Sequence, residues 1–143
     1  MLTRFNLVCL LDEAMETDRG IEFDVVIVGS GIAGLFTALR CSQKGLDVLV
    51  VTKSKIKSSS TNWAQGGIAA VLDTEDEEAI ESHVNDTLSC GKGLCDEQVV
   101  RSVVKEAARR ISDLVAYGVG FDGDSDGYHK AIEGGHSEAR ILH

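Results

Sequence analysis

At 143 residues the chain has the length of about one domain, enough to bury a core of its own. Fourteen Lys and Arg against 23 Asp and Glu leave a net charge of −9, which excludes nucleic acid or an anionic membrane as the main partner. A single anionic cofactor held locally by backbone amides stays open. Fifteen glycines and no proline, where average usage gives roughly seven prolines, point to backbone that something approaches closely. The apolar run Leu7–Leu11 is far short of the ~20 residues that span a bilayer. It is followed by Asp12-Glu13, where a signal peptide carries small residues before cleavage. A cytoplasmic protein is expected. Cys9, Cys41, Cys90 and Cys95 form no CxxC pair and read as free thiols in a reducing compartment.

Residues 1–22 read as a leader outside the fold, with Met15 a second plausible start. From Phe23 the pattern sharpens. Val25-Val26-Ile27-Val28 is a β-branched run suited to a strand covered on both faces. Ile32, Leu35, Phe36 and Leu39 then recur at helical spacing, and Gly45 stands where a helix ends. Asp47–Val51 is a second buried strand. Strand, helix and strand within about 30 residues form a βαβ unit, so the fold class is α/β with a Rossmann-like start. Lys53–Thr61 reads as a polar loop, and Ile68–Leu72 is too short to assign. Glu77–Leu88 predicts an amphipathic helix. The clearest helix, Glu97–Tyr117, presents Val99, Val100, Val103, Val104, Ala107, Ala108, Ile111, Leu114 and Val115 as one apolar face. Asp96 is placed as its N-cap and Gly118 just past its end. Asp122–Gly127 is a turn-rich acidic loop that resembles a calcium loop only superficially.

Three segments can carry chemistry. Gly29-Ser30-Gly31-Ile32-Ala33-Gly34 is a GxGxxG between a strand and a helix. The first glycine permits the tight turn, the second lets backbone meet a pyrophosphate, and the third lets the helix lie close on the strand. The helix N-terminus adds unpaired N–H groups and a positive dipole end. The motif alone does not separate FAD from NAD. About 20 residues on, where an acid usually holds a ribose, stand Thr52 and Lys53. Lys53 reads equally as a solvated loop residue, a lysine at the adenosine end, or a partner for a 2′-phosphate. The second segment is Ser60-Thr61-Asn62-Trp63-Ala64-Gln65-Gly66-Gly67, either an ordinary polar loop or a cradle whose Gly-Gly lies against a flat ring. The third, Glu133-Gly134-Gly135-His136-Ser137, offers a carboxylate that is either a surface acid or a partner for a substrate ammonium. His83, His129, His136 and His143 make no HExxH-like metal pair. Cys90 and Cys95 read as packing residues beside a helix start.

Together DVVIVGSGIAGL, the Thr52-Lys53 pair, STNWAQGGIAAVLD, ESHVNDTLSCGKGLCDEQVV and EGGHSEARILH resemble the L-aspartate oxidases, flavoproteins of the fumarate reductase and succinate dehydrogenase superfamily. The resemblance spans nearly all of Asp24–His143. It implies FAD as cofactor, contacted by Gly29, Ser30, Gly31, Ile32 and Ala33, by Lys53, and by Ser60, Thr61, Asn62, Trp63, Ala64, Gln65, Gly66 and Gly67. It implies that Glu133 orients the substrate amino group. Membrane-complex relatives attach flavin through a histidine where Ser60 stands, so the resemblance implies non-covalent FAD. Those dicarboxylate enzymes also carry an apolar residue in place of Glu133. Ser54-Lys55-Ile56-Lys57 and Ala131-Ile132 depart from the family's usual residues.

The implied reaction oxidises L-aspartate to iminoaspartate, with hydride passing to flavin and oxygen or fumarate as acceptor. Quinolinate synthase is the implied pathway partner, on the route to NAD. The family's catalytic arginine and further histidines fall beyond His143, so no catalytic base is expected within this chain. After Thr52 no further βαβ unit is visible. The chain is therefore expected to be the N-terminal part of an FAD-binding domain over 23–143, incomplete and inactive alone. A fumarate reductase or succinate dehydrogenase flavoprotein, and a non-catalytic nucleotide-binding module, are the rival readings.

Overall fold

The computed structural model describes residues 6–9 and 22–143, which fall into two compact units, Met1–Gln65 and Gly66–His143. In the first unit β2 (Val25–Val28) leads through α1 (Ile32–Gln43) to β3 (Val48–Thr52). β2 and β3 pair in parallel, Val25 opposite Val48 and Val28 opposite Val51. This is the βαβ unit that the two β-branched runs predict. Most of the leader expected at 1–22 lies outside the described residues. Within it, β1 (Asn6–Cys9) is a strand parallel to β3 on the side away from β2.

One face of this sheet is covered. Ala38 of α1 packs with Val48 and Val50, and Val25, Ile27 and Cys41 close around them. The alternate residues Val26 and Val28 point the other way and are exposed. The run was expected to be covered on both faces, and within this unit α1 covers only one. α1 ends as the sequence suggests, with Gly45 at φ +82° donating its N–H to Ser42 O at 2.9 Å. A glycine enters that left-handed region without steric cost.

In the second unit, α3 (Glu77–Gly91) and α4 (Glu97–Ala116) form a helical pair. Val71, Ile80, Val84 and Val104 make the core, with Ala79, Leu88 and Val100 against it. Asp76 caps α3 by accepting the Ala79 N–H at 3.0 Å, and Asp96 caps α4 through Gln98 and Val99 N–H at 2.9 and 3.1 Å. The buried stripe of α4 is narrower than its apolar sequence face. Val104, Ile111 and Leu114 are buried, whereas Val99 and Val103 are 58% and 64% exposed. Valine at those positions satisfies the periodicity but rotates past the contact with α3.

A small antiparallel sheet, ordered β4-β8-β7, completes the unit. It comprises β4 (Ile68–Ala69), β7 (Lys130–Ala131) and β8 (Ile141–Leu142). The acidic turn lies in a hairpin of β5 (Gly123–Asp124) and β6 (Gly127–Tyr128). Among the described residues no helix is long and apolar enough to cross a membrane.

Ile80 is 4% exposed, so Ile80→Ala should cost about 2–5 kcal/mol through lost transfer energy and a residual cavity. Val103→Ala should change stability by less than about 0.5 kcal/mol. Denaturant unfolding of both variants tests whether the narrow stripe is the true core face.

Candidate functional site

The glycine turn is built by three backbone requirements. Gly29 adopts φ +114°, and its N–H donates to Val51 O at 2.8 Å, tying the end of β2 to β3. Gly34 sits in the first turn of α1, where a Cβ would overlap the Gly29 carbonyl. Gly31 is the N-cap of α1 and has no side chain to cap with. That role passes to Thr61, whose Oγ1 accepts the Ile32 N–H at 3.0 Å. A Cβ on Gly31 would lie 3.4 Å from that same oxygen.

Ser30 is 5% exposed. Its hydroxyl donates to Ile56 O at 3.0 Å and lies 3.2 Å from Thr52 Oγ1. A hydroxyl has one proton, so Thr52 is the donor of the second bond. The Ser30 side chain thus locks the turn to the end of β3 and to the following loop.

Above the turn opens a cavity of about 380 Å³. It is lined by the glycine turn, the ends of β2 and β3, Lys53 and Ser58–Thr61. Of the expected cofactor residues, the structure brings together Gly29, Ser30, Gly31, Lys53, Ser60 and Thr61 around this space. Ile32, whose N–H is held by Thr61, is not among the lining residues. Ala33, Asn62, Trp63, Ala64 and Gln65 are not among the lining residues, and Trp63 is 74% exposed. Ser60–Trp63, expected within a polar loop, is a one-turn helix, α2, with Ser59 as its N-cap.

The donor set fits a dinucleotide pyrophosphate. The first turn of a helix leaves N–H groups without intrahelical partners and carries partial positive charge. The first turn of α1 contains no acidic residue, and Lys53 supplies a full positive charge on the cavity wall. Phosphate oxygens would meet the α1 N-terminus and the serine and threonine hydroxyls, with Lys53 alongside.

The second unit gathers the remaining expected residues. A Cβ on Gly66 would lie 3.4 Å from Glu133 Oε2, and one on Gly67 would overlap Leu142 O. Glu133 Oε1 is 3.6 Å from His143 Nε2. Gly-Gly at 66–67 therefore admits both the β8 backbone and the Glu133 carboxylate. The Glu133 side chain is 43% exposed, which leaves it open to a ligand.

Sequence reasoning missed the polar cluster behind Glu133. Arg140, 2% exposed, donates to Asp86 Oδ2 at 2.6 Å and to Ser82 Oγ at 2.8 Å. Asp86 also accepts the Ser137 N–H and hydroxyl, both at 2.8 Å. These bonds, led by the Ser137 amide, hold the Asp86 carboxyl down at about 2. His83 is buried beside His136, with ring centroids 5.5 Å apart. Burial, reinforced by Arg140, lowers the pKa of His83. No local periodicity announces this cluster, because its two halves, 82–86 and 136–140, are 50 or more residues apart in sequence.

A strand–glycine turn–helix with an anion-receptive cavity defines a dinucleotide-binding module. The chain belongs to the FAD-binding domain family, whose model matches residues 24–143, and FAD is the cofactor of that family. Among curated proteins, the chloroplastic L-aspartate oxidase of Oryza sativa subsp. japonica is 46% identical over 136 residues. That match covers 94% of this chain and 20% of the rice protein. The L-aspartate oxidase of Vibrio cholerae is 47% identical over 135 residues, covering 90% of this chain and 25% of that protein. Among solved structures, the Mycobacterium smegmatis Sdh1 complex in the apo form matches with TM-score 0.77 and 35% identity. It covers 85% of this chain and 21% of the Sdh1 chain. A quinol–fumarate reductase with menaquinol molecules matches with TM-score 0.75 and 30% identity, covering 85% and 21%. The chain thus spans about a quarter or less of the proteins it matches.

Two outcomes follow. Gly34→Ala forces α1 away from Gly29 O, and the purified protein should carry far less flavin absorbance per protein than wild type. Asp86 has a folded pKa near 2 against an ordinary 3.8, so its ionised form favours the fold. That stability is fully present above 3.8 and is lost as pH falls through about 2. The gap in unfolding midpoint between wild type and Asp86→Asn should shrink over that window.

Proposed function

We propose that the whole protein is an L-aspartate oxidase, oxidising L-aspartate to iminoaspartate with oxygen or fumarate as electron acceptor. The observation that carries this reading is the Glu133 carboxylate beside Gly66. Aspartate differs from succinate by an α-ammonium, and a carboxylate at this point offsets that charge and accepts its hydrogen bond. An apolar residue there, as the resemblance gives for the dicarboxylate enzymes, suits succinate. The identities of 46–47% to named L-aspartate oxidases support the same choice.

When bound, FAD supplies the two-electron acceptor. The residues of this chain hold and orient. The α1 N-terminus, Lys53, Ser60 and Thr61 bind the phosphates and their flanks, and Asn62–Gly67 extends toward the ring. With serine at position 60, no imidazole from that position can attach to flavin, so FAD is held non-covalently. Glu133 receives the substrate ammonium, and the catalytic base comes from outside this chain. The product is an electrophilic imino acid that leaves for quinolinate synthase and the route to NAD. A cytoplasmic setting suits the free thiols of Cys41, Cys90 and Cys95.

The likeness to the Sdh1 and quinol–fumarate reductase folds favours a second reading, a succinate- or fumarate-type flavoprotein. Turnover by the full-length protein decides between them. The expected result is peroxide production with L-aspartate and none with succinate; preferential use of succinate sinks the first reading. Glu133→Gln removes a charged hydrogen bond worth about 1.5–3 kcal/mol, so kcat/KM for aspartate should fall roughly 10- to 150-fold.

A further inference from the structure

The segment carrying Glu133 is held by polar bonds rather than by apolar anchors. Between β7 and β8 the chain runs from Ile132 to Arg140, and Ile132 is 62% exposed. Glu133–Gly135 and Ser137–Ala139 are exposed as well. The base of the loop is closed where the Arg140 N–H donates to Ala131 O at 3.1 Å. Its tip turns where the His136 N–H donates to Glu133 O at 3.2 Å, with Gly135 at φ +88°. These bonds shape the loop but do not fix it to the body of the unit.

Asp86 supplies the shortest bonds of that attachment, beside the Cys90 Sγ–H contact to Gly135 O at 3.7 Å and the packing of His136 on His83. From α3 its Oδ2 accepts the Ser137 N–H and Oγ–H, both at 2.8 Å, and the Arg140 guanidinium at 2.6 Å. Arg140 is buried and reaches back to Ser82 Oγ, also on α3. Ser82 and Ser137 hydroxyls lie 3.2 Å apart, closing the network. A buried guanidinium without a counterion is strongly unfavourable, so Asp86 both neutralises Arg140 and grips the loop. Ser137 is four residues from Glu133, and a single hydrogen-bonded turn lies between them.

We propose that Asp86 is a positioning residue for substrate recognition: through Ser137 and Arg140 it fixes the loop so that the Glu133 carboxylate stands preorganised beside Gly66 for an α-amino acid's ammonium. This rests on the reading of Glu133 given above. Loosening the loop by about 1 Å is the scale of misplacement that costs up to ~100-fold in rate. The effect falls on substrate binding, because the flavin cavity lies in residues 28–61 and does not include Asp86.

The test is a double-mutant cycle in the full-length protein with Asp86→Asn, Glu133→Gln and the pair. Asp86→Asn should raise KM for aspartate about tenfold, with flavin affinity in a fluorescence titration unchanged. Combined with Glu133→Gln it should add nothing further, because the position it guards has lost its charge. Amide exchange of the 132–139 peptide should accelerate in Asp86→Asn with or without flavin. Ser137→Ala, which keeps the Asp86–Arg140 pair, should shift KM in the same direction and guards against a variant that fails to fold. Equal effects of Asp86→Asn in both backgrounds, or faster exchange without a change in KM, overturn the inference and leave the Glu133 reading standing. No effect of Glu133→Gln alone overturns that reading and the inference with it.

Discussion

Backbone laid against backbone, closer than any Cβ permits, is the constraint on which both units depend. At Gly34 a methyl group would collide with the Gly29 carbonyl, so α1 can rest on the end of β2 only because that position is bare. The result aims the first turn of α1 at the cavity bounded by Lys53 and Thr61. At Gly67 the obstacle is Leu142 O, and the same absence lets β4 join β8. Leu142 is fully buried. Glycine abundance without proline is the compositional trace of this arrangement, since proline would remove N–H donors from such close-packed backbone.

What was legible in the sequence is what local periodicity encodes. The β-branched runs at 25–28 and 48–51 have little alternative to strand, and the spacing of Leu35, Phe36 and Leu39 on α1 is helical. Asp96 and Gly118 bound α4 because capping is a local event, satisfied within three residues. Contacts made across long sequence separations were not legible. Thr61 caps a helix that begins 29 residues earlier, and a lone threonine in a polar stretch carries no sign of that duty. Two-residue strands such as β4 and β8 are too short to show a period and exist only through pairing, β8 lying between β4 and β7. Val99 and Val103 show the opposite failure. Their spacing is that of a buried face, yet nothing in this unit covers them.

The electrostatics are local in the same sense. A net charge of −9 acts at long range against polyanions, but screening limits surface charge to about 8–10 Å at ordinary ionic strength. Within that distance the composition around the cavity differs from the average. The first turns of α3 and α4 carry Glu77, Glu78 and Glu97, each favourable at a positive helix end. The first turn of α1 carries none. Leaving that helix end without an acid forgoes a few tenths of a kcal/mol of dipole stabilisation and keeps it available for phosphate.

The contrast between the two recognition elements follows from what each must bind. A pyrophosphate is large, multiply charged and met by many weak donors, so a rigid βαβ turn with backbone amides suffices. In the proposed reading the substrate's ammonium group is a single point, met by the Glu133 carboxylate on an exposed loop. Apolar packing is non-directional and would bury the very loop that has to face a ligand. Directional bonds from Asp86 to the Ser137 N–H and hydroxyl restrain the loop from behind while its other side stays open. The buried Arg140 makes that restraint costly to break, because releasing Asp86 takes the 2.6 Å carboxylate from a guanidinium that is 2% exposed and leaves it the Glu138 contact at 3.8 Å. The loop can thus be solvent-exposed and still fixed.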